Sequence, residues 1–306
     1  MYDYSEYMLV VGVVSLVVIL SSRYNGNLTE KDDKMASIKK YLDDNGKKDS
    51  LPILWIYISE ESKKNGKIYP YISLCIKSIT MYCSEDFNIV TIDDDSLSNI
   101  IPNWNIDMDI IPDPMKTKVR NLAVTRILYT YGGLFVPPSF ICRNSFISAY
   151  DNAINNNNIL IGEVLNKNIM ASYTDFSPSL SLIGCEKENN CMEKLVSKME
   201  KLVSNDYTNE SIFTGKHQKE LISLFNAGCV EIIDANMIGI EDSDGYMVTV
   251  DRLLGSTYIP FRKKIYGIYI PSGDIVTRTN YRWFSELSVS DIMKSKIIIG
   301  ELFRNM

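Results

Sequence analysis

The sequence predicts an α/β fold, a mostly parallel sheet with flanking helices, preceded by a short N-terminal transmembrane helix. Three observations predict it. A strand–helix–strand pattern runs through 51–92. A long helix with one apolar stripe opens at Asp113, ends at Gly132-Gly133 and is followed at once by an apolar strand. An uncharged apolar run occupies 8–20.

The N-terminal run, MLVVGVVSLVVIL, would span about 20 Å as a helix, short of the ~30 Å hydrocarbon core of a bilayer. Tyr4, Tyr7 and Tyr24 flank it as interfacial aromatics do. A signal peptide or a buried core helix would read similarly. A signal peptide starts with basic residues, whereas Asp3 and Glu6 stand here. A core helix would have structured neighbours, whereas 25–50 is polar and linker-like. The organisation expected is therefore an anchor at 1–24, a linker at 25–50 and a soluble domain at 51–306. Arg23, Lys31, Lys34, Lys39 and Lys40 all follow the run. They predict a single-pass protein with its main domain in the cytosol, which would leave the sequons at Asn27 and Asn209 unused.

Within the domain, LPILWIYI at 51–58 reads as a buried strand. Ile72, Cys75, Ile76, Ile79 and Tyr82 repeat at helical spacing. The segment 87–92 is a second strand, closed by Asp93-Asp94-Asp95. This βαβ unit implies parallel strands and a right-handed crossover. Asp113-Pro114 then suits a helix start, with Asp as the cap. Met115, Val119, Leu122, Ala123, Ile127 and Leu128 line one face, while Lys116, Lys118, Arg120 and Arg126 lie off it, on what is expected to be a solvated face that could alternatively hold a diphosphate without metal. Gly132-Gly133 ends the helix. Strands are expected at 134–136, 159–164, 180–184, 230–234 and 265–270, and helices at 192–203 and 290–303.

Composition narrows the function. The 306 residues are 45% hydrophobic, enough for a sizeable core, and the net charge of −6 argues against a nucleic-acid partner. The cysteines (75, 83, 142, 185, 191 and 229) form no close pair, so neither a zinc site nor a disulfide framework is expected. They read as free thiols in a reducing compartment. The one histidine, His217, sits in the polar stretch Gly215-Lys216-His217-Gln218 and is expected to be exposed. Asp107 and Asp109 spell an Asp-x-Asp that precedes the long helix, and Asp242-Ser243-Asp244-Gly245 reads as a turn.

The order of elements resembles the capsular-polysaccharide-synthesis and DXD-sugar-binding glycosyltransferases, whose fold is GT-A (Rossmann-like). Three stretches carry the resemblance: Leu51 to Tyr57, Pro70 to Ser78 with its Cys-Ile-x-Ser ending, and NLAVTRILYTYGGLF at 121–135. The C-terminal stretch RTNYRWF at 278–284 is similar to uncharacterised membrane-anchored proteins of giant DNA viruses. The glycosyltransferase resemblance implies a nucleotide-sugar partner near Tyr57 and Ser59, Asp93 and Asp95, Asn121, Arg126, Gly132, Gly133 and Ser139. It also implies a divalent metal held by Asp-x-Asp after the Gly-Gly strand, but Pro137, Pro138 and Ser139 stand there. Hard cations require oxygen ligands that proline lacks, so no metal is expected at that position. Mn²⁺ or Mg²⁺ would enter only if other carboxylates, such as Asp93 to Asp95, converge. The family's acidic and basic helix positions also differ, aligning with Arg120, Asn121 and Val124. No catalytic residue is assigned. Two readings remain open: a sugar transferase acting on a glycan or lipid-linked acceptor without a metal at this position, and a catalytically inactive, membrane-anchored structural or binding protein, such as a component of a viral particle.

Overall fold

The computed structural model describes residues 51–163, 178–205 and 210–306. The expected anchor at 8–20 and the linker at 25–50 lie outside them. Among the described residues no helix is long and apolar enough to cross a membrane.

The chain forms a mixed α/β domain. It opens with β1 (Ile53–Tyr57), a small hairpin of β2 (Lys63–Lys64) and β3 (Lys67–Ile68), α1 (Pro70–Cys83), β4 (Asn88–Ile92) and α2 (Leu97–Ile100). It continues through α3 (Asp113–Tyr131), β5 (Gly133–Phe135), β6 (Phe140–Cys142), α4 (Ile147–Asn155), β7 (Ile159–Gly162), β8 (Ile183–Cys185), α5 (Asn190–Ser204), α6 (Glu210–Asn226) and β9 (Val230–Ile233). It ends with α7 (Val250–Leu254), β10 (Gly267–Tyr269), α8 (Ser272–Thr277), α9 (Thr279–Ser285), α10 (Val289–Lys294) and α11 (Ile298–Arg304).

The central sheet has the order β4-β1-β5-β8-β7-β9. Only β8 runs antiparallel to its neighbours β5 and β7; the other pairs are parallel. β1 lies inside this sheet with Ile53, Leu54, Trp55 and Ile56 buried, which is why it reads as a continuous apolar run instead of an alternating one. α1 and α4 contribute to the core around β1, β5 and β7. A second core gathers the start of α1, β10 and the C-terminal helices. β10 pairs with β6 outside the main sheet. It ties this second layer to the chain just after Pro137-Pro138.

Five expectations need correction. Pro112, and not Asp113, occupies the cap position of α3, and it makes no side-chain capping bond. The single final helix is two helices. The chain is extended at Ser295 and Ile297, where the Ile298 amide donates to the Gly255 carbonyl at 2.8 Å and Ile298 and Ile299 turn into the second core. Lys118 is buried and not on a solvated face; α5 packs along α3, so that helix is covered on more than its apolar stripe. The thiols are not all free. Cys191, at the start of α5, is disulfide-bonded to Cys229, just beyond α6, with Cα atoms 6.0 Å apart. The two are 38 residues apart in sequence, and the packing of α5 against α6 helps bring them together. The support that six free thiols gave to a reducing compartment is withdrawn.

His217 is also buried. It shares the inner face of α6 with Leu221 and Leu224, at i, i+4 and i+7, and its polar sequence neighbours point elsewhere. Burial lowers its pKa from the ordinary 6.5 to about 4. Above the ordinary value the ring is neutral in both the folded and the unfolded chain. As the pH falls below it, the unfolded chain takes up the proton first. Stability is therefore expected to fall by roughly 3 kcal/mol between about pH 6.5 and pH 4. Urea unfolding across that range, compared with His217→Leu, checks this. The variant should remove the slope, and since the chain has one histidine no other imidazole can supply it.

Candidate functional site

The topology defines where a ligand would sit. From β1 the chain crosses to β4 at the sheet edge, then returns past β1 to β5 on its other side. The strand order reverses there, and in open α/β sheets ligands bind outside the carboxyl ends of the strands at such a point. Three segments reach it: 58–62 after β1, 93–96 after β4 and 136–139 after β5.

One polar cluster occupies the carboxyl ends of β1 and β4. Arg120, on the N-terminal half of α3, grips Asp94 side-on. Its Nε donates to Oδ1 at 2.9 Å and its Nη2 to Oδ2 at 2.7 Å. Its Nη1 donates to both oxygens of Glu61, at 2.8 and 3.0 Å. The Tyr57 hydroxyl, from the last residue of β1, donates to Asp94 Oδ1. The register explains the meeting: Tyr57 pairs with Ile92 across the parallel ladder, so Asp94 lies two residues beyond Tyr57's own partner.

The electrostatics follow from this packing. Burial pushes the Asp94 carboxyl upward, but hydrogen bonds from Arg120 and Tyr57 outweigh it and hold the group below its ordinary value. Glu61 behaves alike: burial raises it, while Ser59 and Arg120 bring it down further. Burial, then the neighbouring Asp94 charge, raises the Tyr57 phenol far above its usual range, so it stays protonated as a donor. Lys116 also favours the charged form of Asp94.

The other residues named from the sequence are dispersed. Ser59 belongs to the cluster through Glu61. Asp93 caps the short turn at 94–96, its Oδ1 accepting from the Ser96 amide at 3.2 Å and the Ser96 hydroxyl at 2.6 Å. Asp95 is exposed and Asn121 is half-buried. Arg126 faces α5, 3.3 Å from Glu200. Gly132 and Gly133 lie at the amino end of β5, at the opposite end of the strands from the cluster. There the Trp55 indole Nε1 donates to the Gly132 carbonyl at 2.9 Å, and the Gly133 amide donates to the Tyr150 hydroxyl at 3.1 Å. Ser139 is buried, its carbonyl accepting from the Ile270 amide at 2.8 Å. Asp107 accepts from the Asp109 amide in a local turn. Asp242 closes its own turn and pairs with Arg252 at 2.6 Å.

A metal of the kind the resemblance implies does not fit these residues. The loop after β5 supplies no carboxylate, and the carboxylates nearest the switch point, Asp94 and Glu61, already grip a guanidinium. Among the described residues no group of three or more His, Cys, Asp or Glu side chains is arranged to hold a metal ion. Of the residues that do converge, sequence reasoning singled out Tyr57 and Ser59. It flagged the Asp93–Asp95 run and the basic residues of α3 without selecting Asp94 or Arg120. Nothing in the local sequence pointed to Glu61.

No protein-family model matches the chain, and no curated protein matches it. Among solved structures, it is similar to the galactosyltransferase LgtC in complex with donor and acceptor sugar analogues, at 9% identity and a TM-score of 0.40, covering 83% of this chain and 95% of that one. It is similar to the bifunctional glycosyltransferase WbbM in its apo form, at 12% identity and a TM-score of 0.42, over 73% of this chain and 46% of that one. It is also similar to the apo glycosyltransferase GlyE of Streptococcus pneumoniae TIGR4, at 11% identity and a TM-score of 0.42, over 84% of this chain and 64% of that one.

Proposed function

We propose that this is a glycosyltransferase-like protein of the GT-A type. It takes a nucleotide-sugar across the carboxyl ends of β1, β4 and β5 and passes the sugar to a glycan or lipid-linked acceptor. As the bond between the anomeric carbon and the diphosphate breaks, negative charge grows on the leaving phosphate. A fixed cation aimed at that charge supplies electrostatic stabilisation without a metal. Arg120 fills that role, with Lys116 behind it.

The observation that carries this reading is the sorting of the four α3 cations. Lys118 is buried and Arg126 pairs with Glu200. Arg120 is hydrogen-bonded to groups at the carboxyl ends of β1 and β4. The domain is proposed to be tethered through the run at 8–20, on the cytosolic side favoured by the basic residues that follow. A second reading, a non-catalytic membrane-anchored protein, draws support from the same cluster: the guanidinium is already engaged by two carboxylates, and the Pro137-Pro138 loop leads straight into the β6–β10 pairing.

Thermal-shift measurements on the full chain with UDP-, GDP- and CMP-sugars, with and without Mn²⁺, separate the two. Stabilisation by at least one donor is expected without the metal, amounting to about 2.7 kcal/mol at a hundredfold excess over Kd. It should be lost in Arg120→Gln, each variant being compared with its own unliganded Tm. No shift with any donor would leave the non-catalytic reading standing, and a shift that requires Mn²⁺ would overturn the metal-free one.

A further inference from the structure

We infer that Glu61 is a built-in competitor for the phosphate-binding edge of Arg120, a carboxylate whose two oxygens both accept from Nη1 until a diphosphate displaces them. The inference rests on the nucleotide-sugar reading above and deepens it.

The two carboxylates on Arg120 are held very differently. Asp94 is anchored. Its side chain is 15% exposed, it takes the Nε and Nη2 edge of the guanidinium, and Tyr57 donates to it as well. Glu61 also interacts with Ser59, but it is far more open to solvent. Its side chain is 62% exposed and projects from a three-residue 3₁₀ turn between β1 and β2. The backbone beneath it is fixed, since the Ser62 amide donates to the Ser59 carbonyl and the Tyr69 amide to the Ser62 carbonyl. Release therefore requires rotation of the Glu61 side chain away from Arg120 and Ser59, with no backbone movement. An exposed ion pair of this kind is worth about 0–1 kcal/mol, whereas a phosphate on a pre-oriented guanidinium makes two charge-assisted bonds.

Charge points the same way. With Asp94 and Glu61 ionised and Arg120 charged, the cluster carries one net negative charge and repels a diphosphate. Swinging Glu61 outward makes it neutral, and Lys116 then tips the local field toward anions. Asp94 keeps the guanidinium aimed throughout, so the exposed Nη1 edge is the vacated seat.

The test measures binding of inorganic pyrophosphate and of UDP and GDP to the full chain by calorimetry, at fixed ionic strength and with chelator present. The variants are Glu61→Gln, Glu60→Gln and Arg120→Gln. Glu60 is the matched control: it is an adjacent carboxylate that pairs with Lys63 at 2.7 Å and does not touch Arg120. Glu61→Gln should tighten pyrophosphate binding roughly fivefold, Glu60→Gln should leave it unchanged, and Arg120→Gln should abolish it. Equal affinity in wild type and Glu61→Gln, or an equal gain in Glu60→Gln, would overturn the inference while leaving an Arg120-dependent nucleotide site intact. Absence of binding in every variant, Glu61→Gln included, would overturn both the inference and the nucleotide reading.

Discussion

Gly133→Ala is expected to destabilise the domain by about 2–5 kcal/mol, combining ~1–3 for overpacking with ~1–2 for the left-handed backbone. Gly133 has φ +99°, and a Cβ built there would lie 2.3 Å from the Ile53 carbonyl oxygen and 3.0 Å from the Trp55 indole nitrogen. The first of these atoms is backbone of β1. That strand is clamped between β4 and β5, so it cannot yield without breaking two ladders. Gly66 provides the internal comparison. It too has positive φ, at +73°, but nothing lies within 4 Å of its missing Cβ. Gly66→Ala should therefore show the backbone cost alone, about 1–2 kcal/mol. Urea denaturation followed by circular dichroism measures both. Similar losses at the two positions would mean that β1 does not press on β5 as described.

That pair also shows what the sequence could and could not convey. Gly132-Gly133 announces a helix end, and it is one: α3 closes there with the Gly132 amide donating to the Leu128 carbonyl at 2.8 Å. The reason glycine is needed at 133, contact with β1, is a tertiary fact. The same division recurs elsewhere. β1 follows from its continuous apolar run and α1 and β4 from local apolar spacing, because each buries residues that are close in sequence. α6 escaped because His217 stands where an aliphatic residue would have completed its stripe. The Cys191–Cys229 bond, the break between α10 and α11 and the Arg120 cluster all join residues 26 or more positions apart, as the Arg120–Asp94, Ile298–Gly255 and Cys191–Cys229 contacts illustrate. Among the acidic residues after β4, the parallel register with β1, and not any feature of spelling, decides that Asp94 meets Tyr57 while Asp93 caps a turn.

Arg120→Met should cost about 3 kcal/mol at neutral pH, because it strips a partly buried carboxylate of its charged partner. Asp94 would keep only the Tyr57 hydroxyl. The cost should be largely recovered in the double variant Arg120→Met, Asp94→Leu, since removing both members of a pair is far cheaper than removing one. The pH dependence follows from the direction of the carboxylate shifts. Asp94 and Glu61 are held below their ordinary values of 3.8 and 4.5, in each case because hydrogen bonds and the Arg120 charge outweigh the upward push of burial. Groups depressed in the folded chain contribute their full stability above the unfolded values and lose it as the pH falls through the folded ones. The gap between wild type and Arg120→Met should therefore be widest above the ordinary carboxylate values and close as the pH falls below them. A gap that persists undiminished into acid would mean that the methionine variant fails through lost packing of the long side chain and not through the two carboxylates. The cluster at the ends of β1 and β4 would then owe its arrangement to the aliphatic stem of Arg120, and neutralising Glu61 would leave phosphate affinity where it stands.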